Sequence, residues 1–395
     1  MVFKISWYLP VFIISALFVV VVLPAIVRTA NKMNLFDSQD ERKVHSGNVP
    51  RLGGVSFFPS IVFTLMMVIS AMSIYSPITM WFGYGSITEV MMALAGCVML
   101  YLVGIIDDVI GVSYKFKFLM QIAAAFLVCV SGLWIKDLYG LFGIHSLHPL
   151  IGIPLTITLI VLIINSINLI DGIDGLASGL CIIATVGYSI VFFLFDKNIY
   201  MLLACAMLGI LIVFYFYNTL GKVGSTKIFM GDTGSLTMGF LLAFFAIKVA
   251  TLDRSMFHKD LEGAYFVYAA SVVLIPVMDV FRVFFARIRD AKGPFYPDKR
   301  HIHHKILALG YTMRQTRYMI FALSGFFICL NVLLYAYLKF NINLILVINA
   351  TLWITFNIGV SNKVLRLRIA NDPVALMYSD IGAGYKFKKR EPKQK

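Results

Sequence analysis

Leu150-Ile-Gly-Ile-Pro-Leu-Thr-Ile-Thr-Leu-Ile-Val-Leu-Ile-Ile-Asn165-Ser-Ile-Asn168-Leu-Ile-Asp171-Gly172-Ile-Asp174-Gly175 is an apolar run of bilayer-spanning length that ends in two amides and two carboxylates. Asn165 and Asn168, three apart, share one helix face, and Asp171 follows one turn later on the same side. Gly172 and Gly175 then break the helix. Polar and ionisable groups are costly at a membrane edge, so such a cluster marks a functional site. The plainer alternative is a polar helix end whose Asp caps the next helix.

The rest of the chain fits this reading. Of 395 residues, 60% are hydrophobic and 14% charged, and the mean hydropathy of +0.86 is far above that of soluble domains. The fold class expected is an all-α polytopic integral membrane protein. Eleven transmembrane helices are predicted, at about 7–27, 53–75, 87–107, 116–135, 150–170, 175–195, 199–218, 233–251, 264–286, 317–338 and 342–360. The first ends at Arg28 with no small-residue cleavage site, so it reads as a helix and not as a signal peptide. Cys97, Cys129, Cys181, Cys205 and Cys329 sit in apolar runs without CxxC spacing, which argues against a disulfide frame or a zinc ribbon.

The net charge of +14 raises nucleic acid as a partner, but its distribution answers otherwise. Connections after the odd-numbered helices, with the C-terminal tail, hold about 26 of the 34 Lys and Arg, against about six on the other side. That bias puts the N-terminus outside and the C-terminus in the cytoplasm, with no nucleic acid needed. Residues 1–360 form one polytopic transmembrane domain, and 361–395 a basic cytoplasmic tail, ending Lys386-Phe-Lys388-Lys389-Arg390, suited to anionic lipid. His145 and His148, in the outer loop 136–149, lack a ligand set and read as solvated loop residues.

Further polar clusters fall on the same face as Asn165–Gly175. Arg42-Lys43-Val44-His45-Ser46-Gly47-Asn48 leads through Arg51 to Gly53-Gly54, which suits close backbone approach. Asp107-Asp108 precede Lys115 and Lys117; adjacent carboxylates repel, so a metal or these lysines must stabilise them. Asn218, Lys222 and Lys227 precede Phe229-Met230-Gly231-Asp232-Thr233-Gly234-Ser235, a compact turn that either holds a carboxylate near free N–H groups or simply caps a helix. On the same face, Asp279, Arg282, Arg287, Arg289 and Lys292 lead to His301-Ile302-His303-His304-Lys305, a cationic set that fits an anion better than zinc. Hard oxygens suit magnesium, and the cations suit phosphates. From the residues alone, the reading is a magnesium-dependent enzyme acting on a phosphorylated substrate at the cytoplasmic membrane surface.

At these residues, over roughly 40–310, the sequence closely resembles the polyprenyl-phosphate N-acetylhexosamine-1-phosphate transferases, glycosyltransferase family 4, which includes the phospho-N-acetylmuramoyl-pentapeptide and the undecaprenyl-phosphate N-acetylglucosamine-1-phosphate enzymes. The motifs are Asp107-Asp108, Asn165-xx-Asn168-xx-Asp171-xx-Asp174-Gly-Leu-Ala, Phe229-Met-Gly-Asp232-Thr-Gly-Ser and His301-Ile-His303-His304. The resemblance implies transfer of a sugar 1-phosphate from a UDP-N-acetylhexosamine to undecaprenyl phosphate, with release of UMP, in a bacterial plasma membrane. This would be the initiating step of cell-envelope polysaccharide synthesis, O-antigen included. Magnesium would be the cofactor, with manganese as a substitute, and the assembly is compatible with a homodimer. By the same likeness Asp232 with Asn168 would hold the metal, and Asp107 or Asp108 would orient or deprotonate the lipid phosphate. Asn165, Asp171, Asp174 and Asn218 would line the nucleotide-sugar site, with Phe229 stacking on uracil. His301, His303, His304 and Lys115 would bind phosphate or sugar in the catalytic set.

The segment between Asn218 and Phe229 is longer and more basic than in the muramoyl-pentapeptide enzymes, and the His-x-His-His spelling is nearer the N-acetylglucosamine branch. UDP-N-acetylglucosamine is therefore the expected donor, with a muramoyl-pentapeptide-type donor as the alternative. An ion-coupled transporter would place its carboxylates near the bilayer midplane rather than at one face. A non-catalytic assembly partner would need only the spans and would leave the polar motifs unexplained.

Overall fold

A computed structural model describes residues 2–33, 35–36, 49–75, 77–252, 263–291 and 299–368. The basic stretch Arg42–Asn48, Lys292 and the tail end Lys386–Arg390 lie outside the described residues.

The apolar runs form helices, because a backbone in lipid must satisfy its own N–H and C=O groups. In chain order they are α1 (Val2–Lys32), α2 (Phe57–Tyr75), a short α3 (Ile78–Trp81), α4 (Tyr84–Ile110) and α5 (Tyr114–Val130). After a hairpin come α6 (Pro149–Ile170), α7 (Leu176–Leu194), α8 (Asn198–Leu220) and α9 (Gly231–Ala250). The chain closes with α10 (Ala264–Val272), α11 (Leu274–Arg289), α12 (Ile302–Ala308), α13 (Met313–Val332) and α14 (Ile342–Arg368). Among the described residues nine helices are long and apolar enough to cross a membrane, and the bent pair α10–α11 makes a tenth. The chain is a multi-pass membrane protein. Helix α5, one of the eleven predicted spans, covers 17 residues, at the short limit for a crossing.

Three expectations change. The span at 264–286 is broken between α10 and α11 by a bend of 68°. Pro276 explains it: the ring has no N–H for the Val272 carbonyl and clashes with it one turn back. Residues 136–149, read as a plain loop, carry a small hairpin in a fold that is otherwise helical among the described residues. Strands β1 (Asp137–Leu141) and β2 (Ile144–Ser146) pair antiparallel across Phe142-Gly143, both at positive φ (+55° and +75°), as a two-residue hairpin loop requires. Finally, α14 runs to Arg368, so residues 361–368 of the expected tail are helical.

Helix α9 is the axis of the fold, buried along nearly its whole length and packed against α4, α6, α7 and α10. Its N-terminal turn carries Asp232, and small residues let its neighbours reach that turn. A Cβ on Gly104 of α4 would lie 2.4 Å from the Thr233 Cα, and one on Gly54 2.0 Å from the Gly234 nitrogen. Both distances are too short for any side chain, so α4 and the turn before α2 meet the start of α9 backbone to backbone. This is what gathers the clusters.

Candidate active site

Helix α4 delivers its two carboxylates in different directions, as successive helical positions must. Asp108 faces α9: its oxygens accept from the backbone N–H of Asp232 (2.8 Å) and Thr233 (2.9 Å) and from the Thr233 hydroxyl (2.6 Å). It caps a helix whose own N-cap residue, Met230, supplies no side-chain bond, and its charge complements the positive end of the helix dipole. Asp107 faces outward from that cap. One oxygen accepts from the Val112 N–H at 2.7 Å, and the other from Lys117 Nζ at 2.9 Å.

Lys117 is the hub of the site. Its ammonium also donates to Asp232 at 2.6 Å, so residues 107 and 232 converge on one cation. The sequence reading puts Lys115 in the catalytic set; the structure leaves Lys115 exposed in the first turn of α5 and brings Lys117 to the carboxylates instead. The Asn168 amide nitrogen donates to the other Asp232 oxygen at 3.0 Å and to the Ser235 hydroxyl at 2.8 Å. Asn165 is engaged elsewhere: its amide nitrogen donates to Gln121 at 2.6 Å and to the Val161 carbonyl at 2.8 Å. Gln121 was not among the residues predicted, yet a lone amide one turn after Lys117 on α5 was a readable signal.

Beyond α6 the chain turns through Asp171–Gly175. The Asp171 carboxylate accepts no hydrogen bond among the described residues and lies within the field of Asp232, Asp174 and Asp108. Burial first, and these carboxylates second, push its pKa up to about 7, against the partial opposition of Arg51. Asp174 is paired with Lys227 at 2.5 Å. Asn218 is a buried clamp, accepting from the Gly175 N–H at 2.5 Å and donating to the Ile228 carbonyl at 2.9 Å. Phe229 is half-buried, its backbone held by Pro50 and Gly53, with Lys227 Nζ 6.0 Å from the ring centroid. A π-face thus lies beside two fixed charges.

The histidines enter from α12. His301 Nδ1 lies 2.8 Å from Asp279, which α11 also pairs with Arg282 at 2.7 Å. Asp279 therefore orients that ring in the manner of a carboxylate–histidine pair. The His303 ring is buried against Gly172, and neither nitrogen has a hydrogen-bond partner among the described residues; burial, then His304 and His301, hold its pKa well below the ordinary histidine range. The rings of His303 and His304 are 4.2 Å apart.

A cavity of about 840 Å³ joins these parts. Its polar end holds Lys117, Asn168, Asp232, Arg287, His301 and His304, while Ile157, Val161, Leu236, Val283 and Phe284 line an apolar wall. Asn165 borders it; Asp171, Asp174, Asn218 and Phe229 form the separate turn described above. Among the described residues no group of three or more His, Cys, Asp or Glu side chains is gathered as a metal cage. Magnesium needs fewer protein ligands, because substrate phosphates supply the rest. Asp107 and Asp232 already converge on one cation, the Lys117 ammonium, and this oxygen set fits such an ion. Asp232 and the Asn168 carbonyl would hold it, with Asp107 or Asp171 as the next nearest charge.

Residues 90–250 match glycosyl transferase family 4. The chain is 29% identical, over 87% of its length and 86% of the relative's, to a probable undecaprenyl-phosphate N-acetylglucosaminyl 1-phosphate transferase of Bacillus subtilis (strain 168). Undecaprenyl-phosphate alpha-N-acetylglucosaminyl 1-phosphate transferases of Yersinia pestis and Escherichia coli (strain K12) are 28% and 29% identical, each over 73% of both chains.

Proposed function

We propose that the chain, whose residues 90–250 match glycosyl transferase family 4, is a member of that family and transfers N-acetylglucosamine 1-phosphate from UDP-N-acetylglucosamine to undecaprenyl phosphate. The products are undecaprenyl-diphospho-N-acetylglucosamine and UMP. The observation that carries this reading is the two-part cavity. Its apolar wall suits an isoprenoid chain, and its cationic end suits the phosphate that the chain bears.

In this reaction a lipid phosphate oxygen bonds to the sugar-bearing phosphorus as the bond from that phosphorus to the UMP oxygen breaks. Protein groups mainly position the reactants and offset charge. The second ionisation of a phosphate monoester lies near pH 6, so the nucleophile needs no strong base. Asp107 then serves to orient it through Lys117, while Arg287, His301 and His304 offset charge at the polar end of the cavity. Phe229 and the Asp171–Gly175 turn take the uridine end. Magnesium, held by Asp232 and Asn168, would offset the charge that the UMP phosphate gains as it leaves. Asp108 belongs to the framework, since its oxygens are engaged by α9.

The same reading includes eleven crossings, counting α5 and the bent pair α10–α11 as one each. The N-terminus is then outside, the site cytoplasmic, and the membrane the bacterial plasma membrane. The test is UMP release by purified protein in detergent with undecaprenyl phosphate, magnesium and UDP-N-acetylglucosamine. Release that needs lipid and magnesium, and is lost in Asp232→Asn, is expected. UMP produced only with UDP-N-acetylgalactosamine or UDP-N-acetylmuramoyl-pentapeptide would replace the donor. No UMP with any of the three would overturn the reaction.

A further inference from the structure

Arg317 lies on α13, outside the matched segment 90–250, and is 7% exposed. Its guanidinium is held between two rings, 5.3 Å from the Tyr215 centroid and 5.4 Å from that of Tyr318. From there NH1 donates to the Asp174 carbonyl at 2.8 Å. The N–H of the same peptide, on Gly175, donates to Asn218 at 2.5 Å. The Asp174–Gly175 peptide is therefore pinned on both edges, by α13 on one and α8 on the other. Gly175 sits at φ +73°, and a Cβ there would lie 2.8 Å from Arg317 NH1 and 2.3 Å from Thr219 Cγ2. The arginine is closed onto the turn itself.

Packing alone does not account for a cation at this position. Among the described residues the Arg317 Nε is buried without a hydrogen-bond partner, a cost that an apolar residue of the same volume would avoid. What the guanidinium does meet is the backbone of a turn that bears two carboxylates, one of which, Asp174, is paired with Lys227. A planar fork stacked between aromatic rings is also rigid, so it fixes the carbonyl it touches better than a flexible ammonium does.

We infer that Arg317 is a positioning residue for the nucleotide-sugar donor, setting the Asp174–Gly175 peptide and through it the Asp171 and Asp174 carboxylates. The inference rests on the reading of the Asp171–Gly175 turn as the donor site. It separates the donor from the lipid: neither Arg317 nor the Asp174 that it touches is among the residues lining the cavity with the apolar wall.

The experiment measures UDP-N-acetylglucosamine binding by calorimetry without lipid, and KM for both substrates, in Arg317→Met, Arg317→Lys and the exposed control Arg314→Gln. Arg317→Met is expected to raise the donor Kd and KM at least tenfold, with the lipid KM within twofold. Arg317→Lys should fall between it and the wild type, and Arg314→Gln should match the wild type. Equal changes in both KM values, or an unchanged donor Kd, would overturn the inference while leaving the reaction intact. Wild-type protein that binds no uridine nucleotide would overturn the donor reading and this inference with it. Should Arg317→Met fail to fold, as judged by size-exclusion elution, Arg317→Lys carries the same comparison, with a threefold rise in donor Kd expected and none overturning.

Discussion

Thr233 donates both its backbone N–H and its hydroxyl to a single oxygen of Asp108, at 2.9 and 2.6 Å. A carboxylate from α4 thereby closes the N-terminus of α9 and locks the turn that carries Asp232. Asp108→Ala should therefore act first on stability, by roughly 1–2 kcal/mol for a lost cap. Asp107→Asn should leave stability nearly unchanged and remove most turnover. Thermal unfolding in detergent, run beside UMP release, separates the two; equal losses of stability in both variants would contradict the division of labour.

Lys117 and Lys115 provide a second comparison. Lys117 bridges Asp107 and Asp232, so Lys117→Met leaves two facing carboxylates without their cation. Turnover should fall by about 100-fold, as expected for a lost electrostatic group in a reacting site. Lys115→Met, at an exposed position, should stay within about threefold of the wild type. A Lys115 variant as impaired as the Lys117 variant would sink this assignment.

Asp171 and His303 give stability opposite dependences on pH. The Asp171 pKa is raised from 3.8 to about 7, so between these values the folded chain keeps a proton that the unfolded chain has lost. Its contribution to stability therefore declines as pH rises towards 7. His303 is held neutral, below its ordinary 6.5, so its contribution declines as pH falls through that value. Unfolding temperatures from pH 5 to 8 should rise relative to wild type at the alkaline end for Asp171→Asn and at the acid end for His303→Gln. Parallel curves for all three proteins would refute the assignment.

Phe229 precedes Asp232 by three residues and presents a ring beside Lys227 and Asp174. Stacking of a base on an aromatic ring contributes about 1–3 kcal/mol, so Phe229→Ala should weaken UDP-sugar binding by about tenfold or more. The lipid KM should not change. If both affinities shift equally, the ring supports the fold and not the base.

The apolar runs made the helices legible, and the polar clusters at their ends did converge: Asp107 and Asp232, far apart in sequence, share one ammonium. The choice of lysine was not legible, because positions 115 and 117 differ by roughly 200° around a helix and only the start of that helix decides which one faces inward. Ser113, as N-cap, sets that start by accepting from Phe116. The split between Asp107 and Asp108 depended likewise on where α9 begins. Asp279 as the partner of His301 lay 22 residues away across a segment without periodicity. The bend before Pro276 could have been inferred from the proline, which the apolar composition masked.

The kink between α10 and α11 has a kinetic consequence. It leaves α11 as one side of the cavity, with Phe284 and Phe118 exposed among its lining; in the proposed reading this apolar rim opens to the bilayer. A greasy acceptor that enters by this route diffuses in two dimensions, and the product it becomes returns to the same sheet of lipid. Its concentration is a mole fraction per membrane area, whereas that of the sugar nucleotide is a molarity. Dilution in detergent micelles would slow encounters with one substrate and leave those with the other untouched.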